Sequence, residues 1–446
     1  MPETLSDFNF EKPMSIENKE PVSSSIEIRR SEPELVTVNS RLPKIFADPV
    51  PEPTQIGPEG IRFDFNNGCR VALPMQSPGE TKWKLRFTDM ETSNTIFEIE
   101  SEGGFFQSTK VYYVPFKVEC WKGEHKVLEH EYSAKKKNVQ IQIPVGTLGD
   151  VIAWFPYAEL FQKKHDCYLT CVVSDAAMSL FEVEYKSIKF VTLKEAESIQ
   201  NSFYASYRLG LFFDDWNCTH QPVDFRYVGL HKAAAYLLGV DPIEAPPRIH
   251  FSDTTRHINE PYVCIAVQSS TQCKYWNNPF GWLEIVKWLK ECGYRVFCID
   301  KDAAWGQGLF WNQIPNGAED MTGSIPLPDR AAFLKHADFF VGLSSGLAWL
   351  AWAVGTPVVM ISGFTHPNNE FFTPYRVFNH HTCNSCWNDP RVMFDHYDFM
   401  WCPRHKGTDR QFECTRLITA DHVKSVIKKI PGFLGNNKQI QKTDLQ

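Results

Sequence analysis

The sequence predicts an α/β protein of two parallel lobes in tandem, preceded by a small antiparallel β unit. Residues 59–144 run as short alternating segments such as KWKLRFTD, VYYVPFKVE and NVQIQIP, with turn residues between them and no helical stretch. From Gly146 onward strands alternate with helices, the pattern of a parallel sheet covered on both faces. The alternation restarts at Pro261, so two such lobes follow one another and enclose a cleft.

The elements follow in chain order. Residues 1–58 are rich in Pro, Glu and Ser and read as a flexible tail with one or two docked segments. Residues 59–145 form the β unit, a sandwich or a barrel. The first lobe spans 146–257, with GDVIAWFPYAELFQKKHD as a helix, CYLTCVVSD and SIKFVTLK as strands, and VGLHKAAAYLLGV as a helix. The second lobe spans 258–435, with an irregular insert at 380–415 and TADHVKSVIKKI as a closing amphipathic helix; residues 436–446 are a tail. The stretch Phe339–Thr365 carries no charge, but its Gly, Pro and Ser residues mark a buried strand, helix and strand, so no membrane span is expected.

Composition narrows the functional classes. The chain has 446 residues and a net charge of -7, without the basic excess of a phosphate-tracking surface, so nucleic acid is not an expected partner. The first twenty residues lack a basic start followed by an apolar run. The 13 cysteines therefore read as reduced thiols, and the expected location is cytoplasmic.

Four motifs carry chemistry. Cys383-x2-Cys386, Cys402 and Cys414 present four thiols within a short stretch, a tetrahedral set suited to zinc or iron; a closed set of four protein ligands argues for a structural ion. His380, His381 and His405 lie nearby and read as bystanders. Ser344-Ser345-Gly346 joins a strand to a helix, where backbone N–H groups and the helix dipole attract anions, although the same residues make an ordinary cap. The segment QSSTQCK, with Gln268, Ser269, Ser270, Thr271 and Lys274, follows the first strand of the second lobe, so its hydroxyls and mobile ammonium can meet a diphosphate. Thr147-Leu148-Gly149-Asp150 opens the first-lobe helix; spacing alone favours a cap for Asp150, but a carboxylate in a cleft can also accept a hydroxyl proton.

Together LGD before an apolar helix, the downstream Lys, EDMTG at 319–323 and SSGLAWLAWAVGTP resemble the heptosyltransferases of lipopolysaccharide synthesis. The cysteine insert CNSCW…WCP…FEC and the preceding β domain resemble the bacterial autotransporter heptosyltransferases, over roughly residues 60–430. The resemblance implies a GT-B glycosyltransferase with two Rossmann-like lobes, a barrel-like β domain and a metal finger. It implies transfer of heptose from ADP-heptose to serines of an autotransporter adhesin before export. Asp150 would be the general base, with Lys274, Ser345 and Gly346 on the leaving diphosphate, Thr322 and Gly323 near the adenosine, and Met321 among the substrate contacts. Thr147, Leu148, Gly149, Gln268, Ser270, Thr271 and Ser344 would complete the substrate contacts. One structural iron per chain, with zinc as the alternative, no Mg²⁺ and a dodecamer-like ring are also implied. One departure stands out: Ser344-Ser345-Gly346 replaces the Asp-Thr-Gly usual in the lipopolysaccharide enzymes, so a carboxylate is missing there. Two other readings fit the same motifs: a GT-B enzyme for a different sugar nucleotide, or a non-catalytic assembly protein built on the cysteine knuckle.

Overall fold

The computed structural model describes residues 45–144, 147–199 and 203–435. Most of the expected N-terminal tail and all of the C-terminal tail lie outside these residues. Ile45 to Gly57 is docked: Gln142 accepts the Ala47 N–H at 2.8 Å and donates to its carbonyl at 3.0 Å, and Arg70 donates to the Val50 carbonyl at 2.7 Å.

The first lobe is built on an eight-stranded sheet. Ile188–Val191, Tyr168–Val172, Asn138–Gln142, Ala205–Arg208 and Arg62–Asn66 run parallel in that spatial order; Arg70–Leu73 and Gly104–Gln107 extend the sheet antiparallel. The β unit is therefore not separate from the first lobe, in contrast to the expected boundary at 145/146. Its Arg62–Asn66 and NVQIQ strands both lie within the parallel sheet. The alternation misleads because Gln140 and Gln142 are buried and hydrogen-bonded to each other at 2.8 Å rather than facing water. The remaining strands, Asn94–Ser101, Trp83–Asp89, Phe116–Lys122 and His125–Glu131, form a four-stranded antiparallel sheet in that order. Its outer strands each have one neighbour among the described residues, so the sheet is open where a barrel-like closure is expected. Phe87, Phe116 and Val118 of this sheet share one core with Phe63 and Phe65 of the larger one.

The second lobe has six parallel strands in the spatial order Glu319–Asp320, Arg295–Cys298, Tyr262–Ile265, Phe339–Leu343, Val358–Ile361 and Arg376–Val377. Numbered along the chain this is 3-2-1-4-5-6, the doubly wound arrangement. The four strands Tyr262–Ile265, Phe339–Leu343, Val358–Ile361 and Arg295–Cys298 are almost wholly buried apolar runs, as a sheet covered on both faces requires. The uncharged stretch from Phe339 is strand Phe339–Leu343, helix Gly346–Ala353 and strand Val358–Ile361, and no helix among the described residues is long and apolar enough to cross a membrane.

Candidate functional site

In both lobes the strand order reverses across the sheet, between Asn138–Gln142 and Ala205–Arg208 in the first and between Tyr262–Ile265 and Phe339–Leu343 in the second, and ligands settle outside the carboxyl ends at such a point. Thr147–Asp150 follows the first of these strands in the first lobe, while Gln268–Lys274 and Ser344–Gly346 follow the first and fourth in the second. All three segments line one cleft of about 1470 Å³. The helices Leu148–His165 and Gly346–Ala353 start against each other. A Cβ on Gly149 would come within 2.8 Å of the Trp349 ring, and one on Gly346 within 2.8 Å of the Leu148 Cβ. Only glycine allows the two helix N-termini to meet there.

Asp150 occupies the third position of its helix. Its Oδ2 accepts the Thr147 N–H at 2.6 Å and the Thr147 hydroxyl at 3.3 Å, closing a capping box. Oδ1 accepts no hydrogen bond among the described residues and the residue lines the cleft. The cap and the cleft position thus coexist on one carboxylate. Burial raises its pKa above the usual aspartate range, opposed by the Thr147 N–H and the charge of Lys274.

The second helix start is built differently. Ser345 is its N-cap, yet no side chain caps the exposed N–H groups, and the Ser345 Oγ is enclosed without a partner among the described residues. The Ser344 hydroxyl donates to Glu370 at 2.5 Å, and Glu370 is paired with Arg376 at 3.0 Å. A carboxylate absent from the turn itself thus stands behind it, already neutralised. Lys274 reaches the cleft with an ammonium that has no hydrogen bond or ion pair among the described residues. Asp300, at the carboxyl end of the neighbouring strand, holds the loop that carries Gln268: it accepts the N–H groups of Val267 at 2.8 Å and Gln268 at 3.2 Å. Burial pushes its carboxyl up to about 6. Arg330 donates to the carbonyls of Ile299 and Gly323.

Of the expected contact residues, Thr147, Leu148, Gly149, Gln268, Ser270, Lys274, Gly323, Ser344, Ser345 and Gly346 line the cleft together with Asp150. Three do not. Thr271 is buried, and its hydroxyl lies 2.9 Å from the Cys273 sulfur. Thr322 turns its hydroxyl to Asp320 at 2.7 Å, and Met321 packs against the main core while its N–H donates to the Cys298 carbonyl at 2.9 Å. In each case a local bond or the core takes the group away from the cleft.

Aromatic side chains that no sequence motif marks form a further wall of the cleft. Phe364, Trp387, Phe394 and His396 line the cleft, the last three from the 380–415 insert, together with Phe213 of the first lobe. Phe364, Trp387, Phe394 and Trp401 also share a separate apolar cluster with Phe225 and Ala233, so the insert packs across both lobes. Burial and the Lys274 charge lower the pKa of His396, while Asp395 and Asp150 act in the opposite direction. The aspartate after YRVFCI is a sequence signal for Asp300; no local pattern marks His396.

In the insert, Ser385 turns left-handed at φ 60° between Cys383 and Cys386. The Cys383 N–H donates to Glu413 at 2.8 Å, tying this turn to the segment that carries Cys414, and the Arg404 guanidinium lies 3.8 Å from the Cys383 sulfur. Burial raises the Cys386 thiol to about 12, and the other cysteines of the set push the same way; Cys414 is shifted upward for the same reasons. The mutual effect of these thiols places Cys383, Cys386, Cys402 and Cys414 near one another, and thiolates suit a soft metal ion. The ligand atoms of Cys383, His405 and Glu413 also lie within 4.8 Å of one another. His405 is therefore closer to the site than a bystander, whereas the Glu413 carboxylate is held by Arg410 at 2.7 and 2.8 Å and lowered to about 2.

Known proteins share this fold. Residues 57–124 match the N-terminal domain model of glycosyltransferase TibC, and residues 199–395 match glycosyltransferase family 9 (heptosyltransferase). The chain is 51% identical over 397 residues to the autotransporter heptosyltransferase Aah of Escherichia coli, covering 89% of this chain and 99% of that one. A crystal structure of the dodecameric iron-containing heptosyltransferase TibC with ADP-D-beta-D-heptose, from enterotoxigenic E. coli, superposes with a TM-score of 0.82 at 51% identity, covering 86% of this chain and 99% of that one. A Burkholderia thailandensis relative named as an inactive autotransporter heptosyltransferase, BimC, is 44% identical over 87% of this chain and 90% of its own. The two abutting helix starts therefore sit in a family with a named activity, and the chain belongs to the autotransporter heptosyltransferases of glycosyltransferase family 9.

Proposed function

We propose that this protein transfers heptose from ADP-heptose to serine hydroxyls of an autotransporter passenger domain in the bacterial cytoplasm. The observation that carries this reading is the pairing of an open carboxylate oxygen on Asp150 with the uncapped helix start at Ser345-Gly346 across one cleft. Asp150 Oδ1 takes the proton of the serine hydroxyl as its oxygen bonds to the anomeric carbon. The bond from that carbon to the ADP oxygen breaks in the same displacement, and the electron pair leaves with ADP. The ammonium of Lys274 and the backbone N–H groups at Ser345 and Gly346 receive the diphosphate charge. No divalent cation is needed for that step. The acceptor follows the names of Aah and TibC, and the donor and an assembly of twelve copies follow the TibC structure with ADP-D-beta-D-heptose.

BimC makes the activity a question of site chemistry rather than ancestry. Purified protein incubated with a passenger domain and ADP-heptose, or with UDP- and GDP-sugars, decides it by intact mass. Heptose additions from the ADP donor alone are expected. Additions from another nucleotide donor would move the chain to a different sugar, and none from any donor would leave a binding protein.

The four cysteines Cys383, Cys386, Cys402 and Cys414 are proposed to hold one iron per chain, with zinc as the alternative occupant. Four protein thiolates leave no open position, so the ion supports the fold of the insert rather than the reaction. Elemental analysis with absorption spectroscopy tests this. One coloured iron per chain is expected, and Cys414→Ser should lose it along with assembly; protein free of metal but fully assembled and active would refute the site.

A further inference from the structure

We propose that the metal-bearing insert seats the leaving-group lysine: Trp387 and Phe364 hold the Lys274 ammonium between their ring faces, and Trp387 is thereby a positioning residue for the donor diphosphate. The Lys274 Nζ lies 5.7 Å from the centre of the Phe364 ring and 5.9 Å from that of Trp387. Both distances fall within the reach of a cation–π attraction. A carboxylate could hold the ammonium as well, but it would cancel the charge that the diphosphate needs. Two neutral ring faces restrict a flexible four-carbon stem and leave the full charge available.

The rings are themselves fixed. The Trp387 indole N–H donates to Asn369 at 3.1 Å, and its backbone N–H donates to the Phe364 carbonyl at 3.1 Å. The two rings lie 5.6 Å apart, and Phe394 meets the Trp387 edge at 5.4 Å. Trp387 directly follows Cys386 in the chain. The proposed cysteine knuckle is thus one peptide bond removed from the residue whose ring holds the lysine. This gives the insert a task in the cleft beyond stabilising the fold.

The inference rests on the reading of Lys274 as a diphosphate ligand, and a double-mutant cycle separates the two. ADP affinity is measured by calorimetry for the full-length protein, Trp387→Leu, Lys274→Ala and the double variant, with metal content determined on each. Trp387→Leu is expected to weaken ADP roughly three- to tenfold, the range of a partly desolvated cation–π contact. Trp387→Phe should retain most of the affinity, and Trp387→Leu should have no further effect once Lys274 is alanine. Equal losses with and without the lysine would overturn the seat. So would unchanged ADP affinity in metal-loaded Trp387→Leu while Lys274→Ala alone weakens binding. If Lys274→Ala leaves ADP affinity intact, the lysine's role and the seat fall together. If Trp387→Leu does not fold, Phe364→Leu, outside the cysteine insert, takes its place in the same cycle with the same outcomes.

Discussion

The helices Leu148–His165 and Gly346–Ala353 both begin where the strand order of their sheets reverses, after Asn138–Gln142 in the first lobe and after Phe339–Leu343 in the second, yet their first turns are finished in opposite ways. The first fills its own N-terminus with the carboxylate of Asp150; the second leaves its N–H groups uncapped and its Ser345 hydroxyl without a partner among the described residues. A self-filled N-terminus holds a base in a fixed orientation. An unfilled one holds a place for an anion that arrives with the substrate. One fold element thus serves two roles, according to whether its own side chain occupies the first turn.

This contrast can be broken in several ways. Asp150→Asn removes the proposed base and retains most of the volume, so transfer should fall roughly 10²–10⁴-fold. Loss of a cap costs only about 1 kcal/mol, so a merely structural Asp150 would shift the melting temperature and spare the turnover of folded enzyme. Lys274→Ala should lower donor affinity and turnover roughly tenfold or more, as expected for loss of one charged contact. Lys274→Arg should restore part of it, because a planar fork is a poor copy of an ammonium; calorimetry and initial rates check both. Ser345→Asp makes the second N-terminus resemble the first. Donor binding should weaken by roughly tenfold because a carboxylate occupies the anion seat, while the melting temperature holds or rises by the value of a cap. The smallest effect is that of pH. The Asp150 pKa is raised by burial, and only its ionised form accepts a proton. Therefore kcat/KM should fall as pH decreases through a value above the ordinary aspartate range, and the Asp150→Asn variant should lack that limb.

Much of this was legible in the sequence because it is local. Thr147-Leu148-Gly149-Asp150 stands before an apolar helix, Ser344-Ser345-Gly346 joins a strand to a helix, and Lys274 closes a strand-following loop. Such placements follow from periodicity and chain order alone. What was not legible depends on tertiary partners. The NVQIQ strand alternates like a half-exposed one, but its glutamines are buried and paired, so it lies inside the parallel sheet. Thr271 and Thr322 carry the right hydroxyls, but neighbours two residues away engage them. His396 and Trp387 reach the cleft only because the insert packs across the first lobe on Phe225 and Ala233, a contact that no short window of sequence contains. His405 is brought beside Cys383 by the same fold of the insert.

The division of labour between the two helix starts is tested most directly by measuring ADP affinity and single-turnover heptose transfer side by side for Asp150→Asn and Ser345→Asp. The account expects Asp150→Asn to bind ADP as the parent protein does and to fail at transfer, and Ser345→Asp to lose ADP affinity first and recover transfer as donor concentration rises. Transfer at the parent rate by Asp150→Asn, or unchanged ADP affinity in Ser345→Asp, would contradict it.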